Sequence, residues 1–433
     1  MKGFQIGVLI FFGVFVFLGV LIFSGAIKLP SKGGADAQIT TGVIKIWGTV
    51  SKKNLSAAIS FLNNQNPNTV IIYEEKDPRT YSDDLLNAFA FGGVPDLFLL
   101  SQDLIITYED KIISIPFDSF PERTFNDTYI RAADVFKRQT GFLGFPIFSD
   151  PLVMYYNQDL LESENFTVPP KYWKDLLEYV PRLTKKNDAL QILTSGVALG
   201  EFSNIKNAKE IFLAMNLQLN NPIVVFDLEK GYIPVLKEAS DVSARPAIQS
   251  LNFFNEFSNP VKSVYSWNKS KPNSQNAFIA GDLAIYFGLS SEFRNIEQKN
   301  PNLNFDVAMI PQVEELSNKI TYADVYALAI PKNTTNAQMA LSVAANLANG
   351  ANTAAIVGSS GFAPMRRDLV GSPGGNTSNI VFYNSALNSR SWFDFNDEMT
   401  TNIFSQMNEN VISGLESLDD AVDAANTELR KTR

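Results

Sequence analysis

The chain between residues 42 and 75 reads GVIKIWGTVSKKNLSAAISFLNNQNPNTVIIYEE. Its two ends, Val43–Trp47 and Val70–Tyr73, are short runs of β-branched and aromatic residues, which are typical of β-strands. Between them, four apolar residues follow the i, i+3, i+4, i+7 spacing of one helix face: Leu55, Ala58, Ile59 and Leu62. The stretch therefore predicts a strand, a helix and a second strand.

The following segment repeats this pattern up to residue 100. Its apolar residues Leu85, Leu86, Phe89 and Ala90 predict a second helix, which Gly92-Gly93 and Pro95 end. The wholly apolar run Leu97–Leu100 then predicts a buried third strand. Because crossovers between parallel strands are right-handed, this β-α-β-α-β order predicts a parallel sheet with helices on both faces.

Ligands of such sheets bind beyond the carboxyl ends of the strands. In this chain those ends are Gly48–Val50, Glu74–Glu75 and Ser101–Asp103. Topology thus places a candidate binding site at these residues, independently of their chemistry.

Further elements are predicted along the rest of the chain. Helices are expected near Trp173–Val180, Ala208–Asn216 and Ala247–Phe257, in Ala337–Asn349 with Gly350 as its stop, and after the capping residue Ser417. Strands are expected at Leu283–Phe287, Phe305–Ile310 and Tyr322–Ile330.

The composition excludes several classes of function. The 433 residues carry a formal net charge of −9, which disfavours nucleic acid as a partner. The chain has no Cys and no His, so thiol nucleophiles, Ser-His-Asp triads and zinc sites built on thiolate or imidazole are excluded. No phosphate-binding or dinucleotide-binding glycine motif is present, and we predict no cofactor, no metal and no catalytic residue.

The N-terminus predicts a membrane anchor. Gly3 to Ile27 is a run of 25 uncharged residues, long enough to span a hydrocarbon core of about 30 Å. We expect residues 1–28 to form one transmembrane helix with its N-terminus inside, and residues 29–41 to be a linker. The alternative is a signal peptide cleaved after Ala37, because Ala35-Asp36-Ala37 has the small-x-small pattern of a cleavage site. Both interpretations export the rest of the chain to the extracellular face.

Several segments together resemble the family 1 extracellular solute-binding proteins, the group similar to maltose-binding protein. The resemblance covers roughly residues 42–430 and is carried, in the family's order, by IKIWG (44–48), GVPDLF (93–98), FPIFSDPLVMYYN (145–157), PPKYWKDL (169–176), FIAGDLAI (278–285), GFAPMR (361–366) and SGLESLDDA (413–421).

The resemblance implies a two-lobed α/β fold of the periplasmic-binding-protein type II class. The first lobe would comprise residues 42–147 and 306–333, and the second lobe residues 152–300 and 337–433. A small molecule, expected to be a mono- or oligosaccharide, would bind between the lobes and pass to the permease subunits of a bacterial ABC importer. Two departures matter: the lipoprotein Cys of some members is absent, and LSSEF (289–293) lacks the tryptophans that stack on glucose in maltodextrin binders.

Candidate ligand residues come from both lines of reasoning. Asp150, in the expected crossing strand, matches an acidic ligand-binding position of the family, with a structural salt bridge as the alternative. Asp103 follows the third strand, and Trp47 ends the first. Nine residues join Asp150 as candidates, each with packing or a loop role as its alternative: Trp47, Asp103, Tyr155, Trp267, Ser290, Phe293, Tyr322, Phe362 and Trp392.

Two alternative functions stay open at this point. The same fold could serve as a surface-anchored sensing or adhesion module without a transporter. A carboxylate-dependent glycan hydrolase would require two acids about 5–9.5 Å apart in one cleft, and no segment of the sequence pairs them recognisably.

Overall fold

The computed structural model describes residues 42–65, 68–358, 360–371 and 377–432. Its strands are β1 (Gly42–Gly48), β2 (Thr69–Glu75), β3 (Leu97–Ser101), β4 (Ile115–Pro116), β5 (Lys137–Arg138), β6 (Gly141–Phe142), β7 (Phe145–Asn157), β8 (Lys185–Lys186), β9 (Ile192–Val197), β10 (Val224–Asp227), β11 (Gly231–Pro234), β12 (Leu283–Leu289), β13 (Phe305–Met309), β14 (Thr321–Ala329), β15 (Ala363–Pro364) and β16 (Ser389–Arg390).

The α-helices of the described residues are α1 (Lys52–Gln65), α2 (Tyr81–Phe91), α3 (Ile105–Tyr108), α4 (Glu122–Thr128), α5 (Gln158–Ser163), α6 (Leu176–Leu183), α7 (Ala208–Gln218), α8 (Pro246–Glu256), α9 (Ser274–Ala280), α10 (Phe293–Lys299), α11 (Ala337–Leu347), α12 (Gly350–Val357), α13 (Arg367–Val370), α14 (Thr377–Leu387), α15 (Asp397–Ile412) and α16 (Leu418–Lys431). Short 3-10 turns lie at Gln102–Leu104, Glu109–Lys111, Arg131–Phe136, Trp173–Asp175 and Ser290–Glu292.

The predicted β-α-β-α-β start is confirmed. Strands β2, β1 and β3 lie side by side in that order, and β1 is parallel to both neighbours. All four predicted apolar residues of α1 are buried. Gly92 and Gly93 follow α2 with φ of 92° and 90°, a region that residues with a Cβ rarely adopt, so the chain can turn there into β3.

Strand β7 joins two halves of an eleven-stranded sheet. Its first part, Phe145–Pro151, pairs with β14, which in turn pairs with β3. Its second part, Leu152–Asn157, pairs with β12 and β13 on its two edges. We call β1, β2, β3, β14 and the first part of β7 the first half-sheet, and β8, β9, β12, β13 and the second part of β7 the second half-sheet.

This arrangement gives an α/β architecture with a shared crossing strand, as the resemblance carried by residues 145–157 implied. Strand β7 is buried along nearly its whole length, so its side chains form part of the core on both sides of the crossing. Strand β13 lies in a segment expected in the first lobe, yet it pairs with Val153–Asn157 in the second half-sheet. The position of β13 in the sheet therefore differs from the one expected from its place along the chain.

The C-terminal elements agree with the sequence except at one glycine. The side chain of Ser417 caps α16 by accepting a hydrogen bond from the Asp420 N–H, at 3.2 Å. The alanine-rich helix α11 ends at Leu347, and Gly350 is the first residue of α12, so the expected role of Gly350 as a stop was wrong. The reason is local: the Asn349 side chain accepts from the Asn352 N–H at 2.9 Å and so starts a new helix.

The predicted anchor (1–28) and linker (29–41) lie outside the described residues. Within the described part of the chain, none of the helices is long and apolar enough to cross a membrane.

Candidate functional site

A cavity of about 250 Å³ lies at the carboxyl ends of the strands in the first half-sheet. It is lined by Thr49, Pro78, Tyr81, Ser82, Ser101, Gln102, Asp103, Leu104, Glu210, Asp324, Tyr326 and Asp397. Other cavities of similar size lie between helices, such as that between α8 and α15. The cavity lined by Ser101–Leu104 coincides with the position at which parallel sheets bind ligands, and we call it the strand-end cavity.

One wall of the cavity is built by β1, β3 and α2. Thr49 directly follows β1, and Ser101–Asp103 end β3 and form the next turn. The hydroxyl of Tyr81, the first residue of α2, bonds with the backbone carbonyls of Trp47 and Leu99, at 3.1 Å each. Because these two carbonyls belong to neighbouring strands, Tyr81 fixes the spacing of the strand ends.

The other wall comes from two helices much later in the chain. Glu210 lies in the first turn of α7, and Asp397 is the first residue of α15. The preceding Asn396 caps α15 by accepting from the Met399 N–H at 3.0 Å, which sets where the helix begins. The cavity thus separates the strand ends of the first half-sheet from the N-terminal ends of α7 and α15.

Strand β14 contributes Asp324 and Tyr326 to the lining. The Asp324 carboxylate accepts hydrogen bonds from the Tyr322 hydroxyl and from Gln102 Nε2, both at 2.6 Å. The other amide atom of Gln102, Oε1, accepts from the Val325 N–H at 3.0 Å. The carboxylate of Asp324 is therefore held in place by a buried network that joins β14 to the turn after β3.

A buried ion pair lies behind the helical wall. Lys209 is 3% exposed, and its Nζ donates to Asp394 Oδ2 at 3.0 Å and to a carboxylate oxygen of Asp397. The same ammonium lies 3.4 Å from the Thr400 hydroxyl. Its donors are thus directed at α15 and the residues before it, and they hold Asp397 at the edge of the cavity.

Three acids of the cavity, Asp103, Glu210 and Asp324, have raised pKa values. Burial raises the pKa of Asp103 to about 7, against the opposing hydrogen bond from Ser101, and nearby acids including Asp397 and Asp324 add to the rise. Burial likewise raises the pKa of Glu210 to about 8 and that of Asp324 to about 6. Each carboxyl is therefore costly to ionise while the cavity holds no partner of opposite charge.

Asp150 lies beside the cavity, in β7. It is 3% exposed, and its Oδ1 accepts hydrogen bonds from Ser290 Oγ and from the Ser291 N–H, both at 2.9 Å. It pairs directly opposite Asp324 in the antiparallel ladder, so the two side chains project from the same face. Asp150 thus links the crossing strand to the turn after β12. Its ladder partner Asp324 lines the cavity, so Asp150 lies one strand away from the lining.

Of the ten predicted ligand residues, Asp103 is the one that lines this cavity among the described residues. Tyr322 is buried and reaches it through its hydrogen bond to Asp324. Trp47 lies on the far side of the strand end, with the Lys76 ammonium 3.7 Å from its ring centroid.

The other predicted aromatic residues lie in packed surroundings. Tyr155 is buried and donates to the Leu289 carbonyl at 2.7 Å. Trp267 is buried, with its Nε1 donating to Asn204 Oδ1 at 2.8 Å. Trp392 is buried beside Phe404, with ring centroids 6.0 Å apart. Half-buried Phe293 packs near Phe305 with centroids 5.4 Å apart, and half-buried Phe362 stacks on Phe148 at 4.7 Å.

Sequence reasoning missed the acids that complete the cavity. Glu210, Asp324 and Asp397 come from two helix starts and one strand, more than 100 residues beyond the strand end that carries Asp103. One signal was available: Asp397 follows an Asn that can cap a helix, and acids are favoured in the first turn of a helix. Within the described residues, no group of three or more acids has the geometry of a metal site.

Comparisons with known proteins agree with this architecture. The family model of bacterial extracellular solute-binding proteins matches residues 48–353. The sugar-binding protein MalE from Xanthomonas citri superimposes with a TM-score of 0.72 at 17% identity, covering 90% of this chain and 97% of that one. The GacH receptor of Streptomyces glaucescens gives 0.70 at 15% identity, covering 90% and 98%. A cyclo/maltodextrin-binding protein gives 0.71 at 13% identity, covering 93% and 98%. None of the curated proteins matches the chain significantly.

Proposed function

Because the chain belongs to the bacterial extracellular solute-binding proteins, we propose that it captures a carbohydrate in the strand-end cavity and delivers it to an ABC permease. The observation that carries this proposal is the composition of the cavity. Asp103 and Asp324 come from the predicted first lobe, and Glu210 and Asp397 from the predicted second lobe. A solute bound among them contacts both lobes at once.

The chemistry of the lining suits a polyhydroxylated ligand. Carboxylates accept hydrogen bonds from sugar hydroxyls, and the hydroxyls of Thr49, Ser82 and Ser101 both donate and accept. Tyr81 and Tyr326 add aromatic surface for the apolar side of a sugar ring. The similar structures support the same class, since GacH was solved with acarbose and the cyclo/maltodextrin-binding protein with maltotetraose.

Delivery would follow from lobe closure. A solute that contacts both lobes binds the closed arrangement more tightly than the open one, and so shifts the population towards it. The crossing strand β7 and the segment 310–320 between β13 and β14 connect the halves and would bend during this motion. The permease would then bind the closed arrangement.

The place of action is the extracellular face of the cell membrane. We propose that residues 1–28 tether the protein there as a single transmembrane helix and that residues 29–41 act as a linker. Trp47, Asp150 and the other predicted ligand residues outside the cavity lining remain candidates for contacts in an arrangement of the lobes that differs from the present one.

The test is a carbohydrate screen on the purified full-length chain, read by thermal shift and by small-angle scattering. We expect at least one saccharide to bind with micromolar or tighter affinity, to raise the melting temperature and to reduce the radius of gyration. The Asp103→Asn and Asp324→Asn variants should lose that binding, whereas Asp188→Asn, at an exposed loop position, should keep it. A broad screen with no thermal shift and no change in compactness would contradict the proposal.

The acids of the cavity also favour testing a second function, glycan hydrolysis. Four acids line one cavity, and two of them, Asp103 and Glu210, have pKa values raised to about 7 and about 8, suitable for a general acid. Turnover of a bound oligosaccharide, abolished by Glu210→Gln, would support this function. Binding without any release of product supports transport.

A further inference from the structure

We propose that the solute carries a cationic nitrogen, as an amino sugar or another amine-bearing saccharide does. This inference rests on the proposed function, since it assumes that the strand-end cavity binds the solute. Two observations independent of its charge support a ligand there: the cavity lies at the carboxyl ends of parallel strands, and the chain matches a family of solute-binding proteins.

The first argument is the one-sided charge of the lining. Its charged residues are all acids: Asp103, Glu210, Asp324 and Asp397. No Lys or Arg is among the described residues that line the cavity. Lys209 lies behind the wall, and its ammonium already pairs with Asp394 and Asp397. Asp103, Glu210 and Asp324 are therefore the lining acids without an ion pair among the described residues.

The second argument is where these acids come from. Asp103 and Asp324 belong to the first half-sheet and the turn that follows it, whereas Glu210 and Asp397 begin two helices on the opposite wall. Without a ligand, closing the cavity brings like charges together. A cationic group between the walls reverses the sign of that interaction, because it attracts the acids of both sides.

The third argument compares a neutral with a cationic ligand. Hydroxyl groups of a neutral sugar can satisfy the oxygens of carboxylates, but they leave the summed negative charge in place. An ammonium group supplies up to three donors and also compensates the charge. Burial is the main cause of the raised pKa values of Asp103 and Glu210, and for Glu210 the nearby Lys209 ammonium offsets it only in part. An ammonium group bound beside these acids would favour their ionised forms.

The size of the cavity limits the ligand portion it encloses. At about 250 Å³ it lies slightly below the range of about 300–1,000 Å³ that drug-sized ligands occupy. The enclosed portion is therefore of the order of a single sugar ring, with the amine on that ring.

The experiment compares amine-bearing saccharides with neutral counterparts, of which the hydroxyl forms differ in charge but hardly in shape. The purified full-length chain is titrated calorimetrically at pH 7 with glucosamine, galactosamine, mannosamine and the disaccharide of glucosamine. Each is paired with its neutral N-acetyl form and with its hydroxyl form. At least one amine is expected to bind at least ten times more tightly than both of its neutral counterparts.

Two variants test whether the preference for the amine arises in the strand-end cavity. Asp397→Asn removes one charge, and Glu210→Gln removes a carboxyl that ionises when an ammonium binds beside it. Both variants keep the size of the side chain, so each should reduce the preference for the amine at least threefold. The variant Asp188→Asn removes a charge from an exposed loop and should leave the preference unchanged. Circular dichroism spectra and melting temperatures identify any variant that fails to fold. If one of the two fails, the other carries the test.

The outcomes separate this inference from the proposed function. Neutral forms that bind as tightly as the amines overturn the inference and leave carbohydrate capture standing. An amine preference that survives in both cavity variants places the binding elsewhere and also overturns it. Absence of binding by every amine overturns it as well, and it counts against carbohydrate capture only when the wider carbohydrate screen is also blank.

Discussion

Replacing Asp150 by Asn removes one buried negative charge from the crossing strand and retains its hydrogen bonds. Both described bonds to this side chain, from Ser290 Oγ and the Ser291 N–H, go to the same oxygen, Oδ1. An Asn side chain offers an oxygen at that position. The Asp150→Asn variant therefore isolates the electrostatic cost of the carboxylate from its hydrogen bonding.

The magnitude follows from the pKa of the group. Burial raises the pKa of Asp150 from the ordinary value of 3.8 to about 7, although hydrogen bonds from Ser291 and Ser290 oppose the rise. The folded state therefore binds a proton more tightly than the unfolded state. The corresponding stability is present at acidic pH and is lost as the pH rises towards and through about 7. Integrating the two titrations between pH 5 and pH 8 gives a loss of about 2.5 kcal/mol from this one carboxyl.

The assay is urea unfolding of the full-length chain at pH 5, 6, 7 and 8, followed by tryptophan fluorescence. The free energy of unfolding of Asp150→Asn minus that of the wild type is expected to increase by about 2.5 kcal/mol from pH 5 to pH 8. Asp188→Asn controls for the loss of one negative charge at an exposed position. A difference that stays constant across this pH range, or decreases, would refute the argument that burial controls this carboxyl.

Three further predictions concern the buried polar groups and one helix cap. Lys209→Met should lower the free energy of unfolding, measured by urea unfolding, by about 3–5 kcal/mol, because it leaves the buried Asp394 without its cation. A loss below about 1 kcal/mol would contradict the pairing. Trp267→Phe loses the hydrogen bond to Asn204, so it should lower the free energy of unfolding by about 1–3 kcal/mol in the same assay and leave the affinity for sugar unchanged. A weaker affinity at full stability would instead favour the predicted ligand contact. Ser417→Ala should cost about 1 kcal/mol through the loss of the cap on α16, and Ser417→Asp should restore most of it; equal stability of all three proteins would exclude a capping role.

The order of elements in this protein follows from local patterns in the sequence. The alternation of Val43–Trp47, the helix face from Leu55 to Leu62 and the run Leu97–Leu100 were sufficient to predict a parallel sheet and the edge of it at which the cavity lies. This is possible because side-chain periodicity and right-handed crossovers depend on residues close in sequence. Asp103 could be predicted to lie at this edge for the same reason, because it follows the carboxyl end of β3.

Tertiary structure alone decided which acids join Asp103. Glu210, Asp324 and Asp397 are separated from it by more than 100 residues, and no local pattern relates a helix start to a strand end that far away. The same limit applies to the Lys209 ion pair and to Asp150, whose partners come from the turn after β12. Local sequence determined the helices, the strands and their order, whereas the charge and size of the cavity arose only when distant segments packed together.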